Sequence, residues 1–193
     1  AVAKQLKRRV PVVLTLDNPW LGTLKQHIAG ILGQFYLPRL FTHCWVPGEP
    51  NAVYARKLGF RGNKLYTGMY SADTELFKKY EREISSRKSE HFPHRFIYVG
   101  RYTELKGIRE LWSAFSKLSA EERKDWELWC LGKGELEHEL PVHPAIKNIG
   151  FVQPDKLAPY LEQTSIFILP THYEHWGVVV HEFAAAGFPL VCS

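Results

Sequence analysis

From Phe96 to Cys192, short apolar runs alternate with longer amphipathic stretches, and this alternation most constrains what the chain can fold into. The runs Phe96–Val99, Trp126–Leu131, Ile146–Ile149, Ile166–Leu169 and Leu190–Cys192 are rich in β-branched and aromatic residues and read as buried strands. Between them, Ile108–Leu118, Asp155–Gln163 and Val178–Ala186 read as helices. Strands that alternate with helices bury themselves by forming a parallel, doubly wound α/β sheet.

The earlier part of the chain has a shorter version of the same pattern. VPVVLTL (Val10–Leu16) is a strand ended by the turn formers Asp17-Asn18-Pro19, and a helix-compatible stretch covers Thr23–Leu40. Thr42–Pro47 and Lys64–Thr67 read as further strands. Between them lies a helix, Asn51–Leu58, with Asn51 as N-cap and Gly59 as stop. From Ser71 to Arg95 the sequence turns charged and polar, which predicts a linker carrying a solvated helix. The expected organisation is therefore a first domain over 1–72, a linker over 73–94 and a second domain over 95–193.

Composition removes several classes of function. The nearly uncharged run Phe183–Ser193 is interrupted by Gly187 and Pro189 and falls far short of the ~20 residues of a membrane span. The basic start, Lys4–Arg9, precedes a strand rather than a long apolar helix, so it is no secretory signal and the chain reads as cytoplasmic. That run is read first as a solvated face and second as a peripheral contact for anionic lipid at the inner face of a membrane. Cys44, Cys130 and Cys192 lack CxxC spacing and read as reduced core thiols. The net charge of +5 fits an anionic partner. Its basic residues are scattered rather than gathered with exposed aromatics, which argues against nucleic acid. His91, His94, His138 and His143 lack ligand spacing and read as surface residues, and Trp112, Trp126 and Trp129 as core aromatics.

In open α/β sheets ligands bind outside the carboxyl ends of the strands, which points to three loops. Gly100-Arg101 and Lys106-Gly107 follow the first strand of the second domain, Gly132-Lys133-Gly134 follow the next, and Pro170–Gly177 lead into the apolar helix at Val178. Gly177 allows close backbone approach, and the positive end of the helix behind it suits a diphosphate. Arg101 and Lys106 supply fixed cations. No two aspartates stand two residues apart, so there is no DxD element and a metal-independent site is expected. Glu182 is a carboxylate in an almost wholly apolar helix and needs a partner, either ribose hydroxyls or a histidine such as His181 or His172. Glu174, eight positions earlier, faces the same cleft or is a plain surface residue. Arg101 and Lys106 have their own bland reading as solvated loop cations.

The segments FIYVGRYTELKGIRELWSAF, LWCLGKGE, IKNIGFVQPDKLAPYL and IFILPTHYEHWGVVVHEFAAAGFPLVCS resemble the retaining GT-B glycosyltransferases of the "glycosyl transferases group 1" family, which includes bacterial mannosyltransferases and sucrose synthase. The resemblance is strong over Phe96–Ser193 and weaker over Val10–Phe77. Glu174 and Glu182 match the family's paired glutamates, which have seven residues between them. It implies two Rossmann-like domains with parallel sheets, both incomplete here, with the chain beginning several strands into the acceptor-binding domain. It also implies transfer of a hexose from a nucleoside-diphosphate sugar to a glycan or lipid-linked acceptor, with no cofactor and no metal. Arg101 and Lys106 then hold the diphosphate, and Glu174 the donor-sugar hydroxyls. Gly177, Val178 and Val179 support the phosphates and sugar, and Glu182 the ribose. Gly100, Gly132, Lys133, Phe151 and Val152 complete the donor site near the base. Where many relatives carry a histidine after the VPVVLTL strand, this chain has Asp17, Asn18 and Trp20, which become the acceptor-side candidates. An epimerase of the same fold and a non-catalytic nucleotide-binding module are the alternatives.

Overall fold

The computed structural model describes residues 2–7, 9–174 and 176–193; Arg8 of the basic run and His175 of the loop before Gly177 lie outside them. The chain divides into two compact units, Ala1–Ser71 and Ala72–Ser193.

The first unit contains α1 (Val2–Leu6), β1 (Val13–Thr15), α2 (Leu24–Leu40), β2 (His43–Trp45), α3 (Glu49–Lys57) and β3 (Leu65–Tyr66). Its three strands pair in parallel in the order β1-β2-β3, with Leu14 opposite Cys44 and Cys44 opposite Leu65. Thr23 caps α2 by accepting the Gln26 N–H, and Phe60, Val46, Ala52 and Ala55 form a fully buried core with Cys44. Asn51 is not the cap of α3. Gly48 holds that position, one turn earlier than expected, and Asn51 is buried inside the helix with its amide donating to the Asp17 carbonyl. A buried amide needs such a partner, and the loop after β1 provides it.

The second unit contains α4 (Thr74–Glu90), β4 (Arg95–Val99), α5 (Ile108–Ser116), α6 (Ala120–Arg123), β5 (Glu127–Leu131), β6 (Ile146–Gly150), α7 (Ala158–Gln163), β7 (Ile166–Leu169), α8 (Val178–Ala185) and β8 (Leu190–Cys192). All five strands are parallel, in the order β6-β5-β4-β7-β8. From β4 the chain moves one way across the sheet to β5 and β6, then returns to the other flank for β7 and β8. The carboxyl ends of β4 and β7 therefore bound the topological switch point, where loops diverge and leave a crevice.

Two expectations are corrected here. The segment over 73–94 is no linker with a solvated helix: α4, capped by the Asp73 side chain, belongs to the second unit and buries Phe77, Tyr80 and Ile84 in its core. These residues recur at helical spacing on one face, and the charges on the other faces mask them in sequence. Tyr80 also donates its hydroxyl to the Pro154 carbonyl at 3.1 Å. Cys192, expected in the core, is exposed on the edge strand β8, whereas Cys44 and Cys130 are buried.

Candidate functional site

The loop after β4 is shaped from beneath by Tyr98, a fully buried side chain whose hydroxyl donates to the Arg101 carbonyl at 2.8 Å. Arg101 itself is exposed, and its guanidinium has no hydrogen bond or ion pair among the described residues. A 3-10 turn, Glu104–Lys106, then carries Lys106 to Gly107, which has φ +62°. A Cβ on Gly107 would stand 1.8 Å from the Pro170 carbonyl oxygen, so the loops after β4 and β7 meet backbone to backbone there.

Both the His172 N–H (2.9 Å) and the Thr171 hydroxyl (2.8 Å) donate to the Leu105 carbonyl, pinning the second loop to the first. Their consequence is the ion pair between Lys106 and Glu174, whose side chains are only 19% and 25% exposed. Glu174 also accepts the backbone N–H groups of Trp176 and Gly177. Burial alone would push its carboxyl up, but Lys106 and those two amides outweigh it and hold Glu174 below the usual carboxylate range. Glu174 therefore stays ionised at neutral pH, beside a cation and directly before α8.

Gly177 begins that helix in the left-handed region at φ +69°, a conformation costing other residues roughly 1–2 kcal/mol. From Val178 and Val179 the first turn of α8 presents the positive end of its peptide dipoles at the crevice. One turn further, Glu182 is partly buried and has neither a hydrogen bond nor an ion pair among the described residues. The histidine partners considered for it are engaged elsewhere: His172 pairs with Glu110 at 3.2 Å, and the His181 ring lies against Trp176. Burial and then the nearby Asp73 raise the Glu182 pKa. Asp73 is legible in sequence only as a helix cap, so its presence beside Glu182 is a tertiary result.

The sign of the resulting pH dependence follows. A carboxyl whose pKa is raised on folding favours the folded state while protonated, and that contribution is lost as pH rises through the folded pKa. Glu182→Gln is therefore expected to raise the urea midpoint at pH 7, with the gain vanishing as pH falls below the ordinary glutamate range. A gain that persists unchanged at acidic pH would contradict a strained carboxylate at this position.

The remaining donor-side candidates cluster at the ends of β4, β5 and β6. Gly100 donates its N–H to the Leu131 carbonyl at 3.0 Å, Gly132 to the Gly150 carbonyl at 2.9 Å, and Tyr102 to the Lys133 carbonyl at 3.0 Å. A Cβ on Gly132 would lie 1.9 Å from the Gly100 carbonyl oxygen, so this glycine is required by contact between strand ends. Lys133 and Phe151 project as exposed side chains, while Val152 packs on the core. In the first unit, the Asp17 carboxylate accepts the Tyr70 hydroxyl at 3.3 Å and Asn18 is exposed. Trp20 is half-buried against His27 and Tyr54, with the Lys57 ammonium 4.5 Å from its ring centre, so its ring serves the packing of that unit.

The fold and the loops at its switch point define a doubly wound α/β protein in which Lys106 and Glu174 pair directly before the start of α8. Residues 93–193 match the family "Glycosyl transferases group 1", and the chain belongs to that family. It is 29% identical over 139 residues to an uncharacterized glycosyltransferase of Methanocaldococcus jannaschii, covering 67% of this chain and 35% of the relative. It is 28% identical over 172 residues to the amylovoran biosynthesis glycosyltransferase AmsK of Erwinia amylovora, covering 81% of this chain and 41% of that one. In structure it matches Anabaena HepE, solved in complex with UDP and glucose, with a TM-score of 0.68 and 15% identity over 97% of this chain and 54% of that one. The fold is that of GT-B glycosyltransferases, and the chain spans between about a third and a half of the length of these relatives.

Proposed function

We propose that the second unit binds a nucleoside-diphosphate hexose, and that the enzyme to which the chain belongs transfers the hexose with retention to a glycan or lipid-linked acceptor in the cytoplasm. The observation that carries this reading is the Lys106–Glu174 pair, clamped at the switch point directly before the opening of α8. The Lys106 ammonium has three donors and bridges Glu174 to the diphosphate, while the Arg101 guanidinium offers its fork to the phosphates from the same loop. With the Gly177 N–H given to Glu174, the amides of Val178 and Val179 behind it meet phosphate and sugar, Glu174 orients the sugar hydroxyls, and Glu182 accepts hydrogen bonds from the ribose hydroxyls. Gly100, Gly132, Lys133, Phe151 and Val152 border the base.

In the transfer step the bond from the anomeric carbon to the diphosphate oxygen breaks and the acceptor oxygen bonds to the same face. The acceptor's proton passes to the departing diphosphate. Catalysis then consists of positioning and of stabilising negative charge on the leaving group, for which Arg101 and Lys106 serve in place of a metal. Support comes from family membership, from the UDP and glucose held by Anabaena HepE, and from the position of both cations after β4. Asp17 and Asn18 are proposed to face the acceptor.

Thermal unfolding of this chain with UDP and with GDP tests the donor site. A ligand present at a hundred times its dissociation constant is expected to stabilise by ~2.7 kcal/mol, with EDTA leaving the shift intact. Absence of a shift with both nucleotides would refute the site, and a shift that appears only with magnesium would refute the metal-free reading.

A further inference from the structure

Two loops carry Lys106 and Glu174, and three kinds of contact fasten one loop to the other. The first two are uncharged: Gly107 packs against the Pro170 carbonyl, and the Leu105 carbonyl accepts from Thr171 and His172. The third is charged. Nε2 of His172 stands 3.2 Å from a carboxylate oxygen of Glu110. Glu110 lies four positions beyond Lys106 and His172 two before Glu174, so this pair joins the loop after β7 to the segment after β4, as Lys106–Glu174 does.

Each partner is placed by its own element. Glu110 belongs to the first turn of α5, where its carboxylate accepts its own backbone N–H. That bond outweighs burial and, with His172 and Arg109, holds the carboxyl below the usual carboxylate range. Glu110 is therefore a fixed anion at neutral pH. His172 donates its backbone N–H to the Leu105 carbonyl at 2.9 Å, so the backbone and ring of one residue grip both the turn before α5 and the start of that helix. The other charged groups here have partners of their own: Arg109 binds Glu104 and Glu139, and Lys106 binds Glu174. Tyr173 follows on the same loop, and past β8 stands the terminal carboxyl of Ser193, whose hydroxyl donates to the Thr171 carbonyl at 2.8 Å. At the far end of the loop His181 lies against Trp176.

We infer that Glu110 and His172 are positioning residues for the donor: their pair holds the loop after β7 so that Glu174 meets Lys106 and the opening of α8 faces the diphosphate. The inference rests on the donor site proposed above. Imidazole takes up its proton between about pH 5 and 8, and a charge-assisted hydrogen bond is roughly twice as strong as a neutral one. The hold therefore strengthens as pH falls through that range and is lost as pH rises through it. A donor that binds the held loop gains affinity with the population of that state. The two side chains are 51% and 56% exposed, and a pair so exposed shifts an equilibrium by at most about fivefold, which sets the expected effect at about threefold.

Isothermal titration with UDP-glucose and with GDP-mannose, whose diphosphate diesters do not titrate near neutrality, tests the pair in the parent chain, Glu110→Gln, His172→Gln and His172→Lys. Dividing the parent affinity by that of Glu110→Gln at each pH cancels the other titrating groups, Glu182 included. This ratio is expected to be about three near pH 6 and to fall toward one near pH 8.5. His172→Lys, charged throughout, should exceed His172→Gln about threefold at both ends of the range. A ratio that ignores pH, or a lysine variant no better than the glutamine variant, would reduce the pair to a structural contact and overturn the inference. Deuterium exchange of the His172 amide reads the hold without any ligand: near pH 6 it should run about threefold slower in the parent than in Glu110→Gln, and equal rates would likewise overturn the inference. Slower exchange with neither sugar nucleotide bound would refute the donor reading and leave the hold on the loop standing.

Discussion

Replacing Lys106 with alanine is expected to weaken UDP binding about a hundredfold and to leave uridine binding unchanged. A hydrogen bond between charged groups contributes about 1.5–3 kcal/mol, and the upper end applies because the substitution also strands Glu174. That carboxylate is three-quarters buried and held ionised, and without Lys106 its negative charge stands before the incoming diphosphate. Isothermal titration with both ligands separates the effects. Uridine lacks the diphosphate and should not register the change. Adding Glu174→Gln to the alanine variant should recover part of the lost UDP affinity, because it removes the orphaned charge. Equal losses for UDP and uridine would show that Lys106 merely maintains the fold of the loop.

Phe77→Ala should destabilise the second unit by about 3–5 kcal/mol in urea unfolding, the usual range for a large aromatic removed from a closed core. The Phe77 side chain is fully buried, with its ring centre 6.2 Å from that of Phe183 on α8 and 5.7 Å from that of Tyr80. Lys78→Ala, one position along and exposed, should change stability by no more than about 0.5 kcal/mol. A small effect at Phe77 would mean that α4 is the solvated linker its charge suggests. The helix that carries this phenylalanine also starts at Asp73, which bears on Glu182, so loosening α4 should also weaken nucleotide binding.

Much of the second unit was legible because its local signals agree. Ile166–Leu169 is a strand with the bounds its apolar run suggests, and Gly177 begins the following helix where the glycine and the apolar stretch place it. Local signals failed where a residue's partner is distant in sequence. Asn51 reads as a helix cap, yet its amide reaches Asp17, thirty-four positions away. Gly132 reads as a seat for a ligand, and nothing local shows that its missing side chain also makes room for the Gly100 carbonyl. Tyr98 gave no polar signal within an apolar strand, although its hydroxyl fixes the carbonyl of Arg101.

By itself the sequence determined the order of strands and helices and the chemical character of each loop. Both follow from hydrophobic periodicity and from residues such as glycine and proline, which act within a few positions. Only the tertiary structure decided that Lys106 meets Glu174, that Glu182 pairs with no cation among the described residues, and that α4 is core rather than connection. Those outcomes depend on which strands become neighbours. The return of the chain to the far side of β4 is a property of the whole sheet, set by the burial of all its apolar faces together and by no single stretch of sequence.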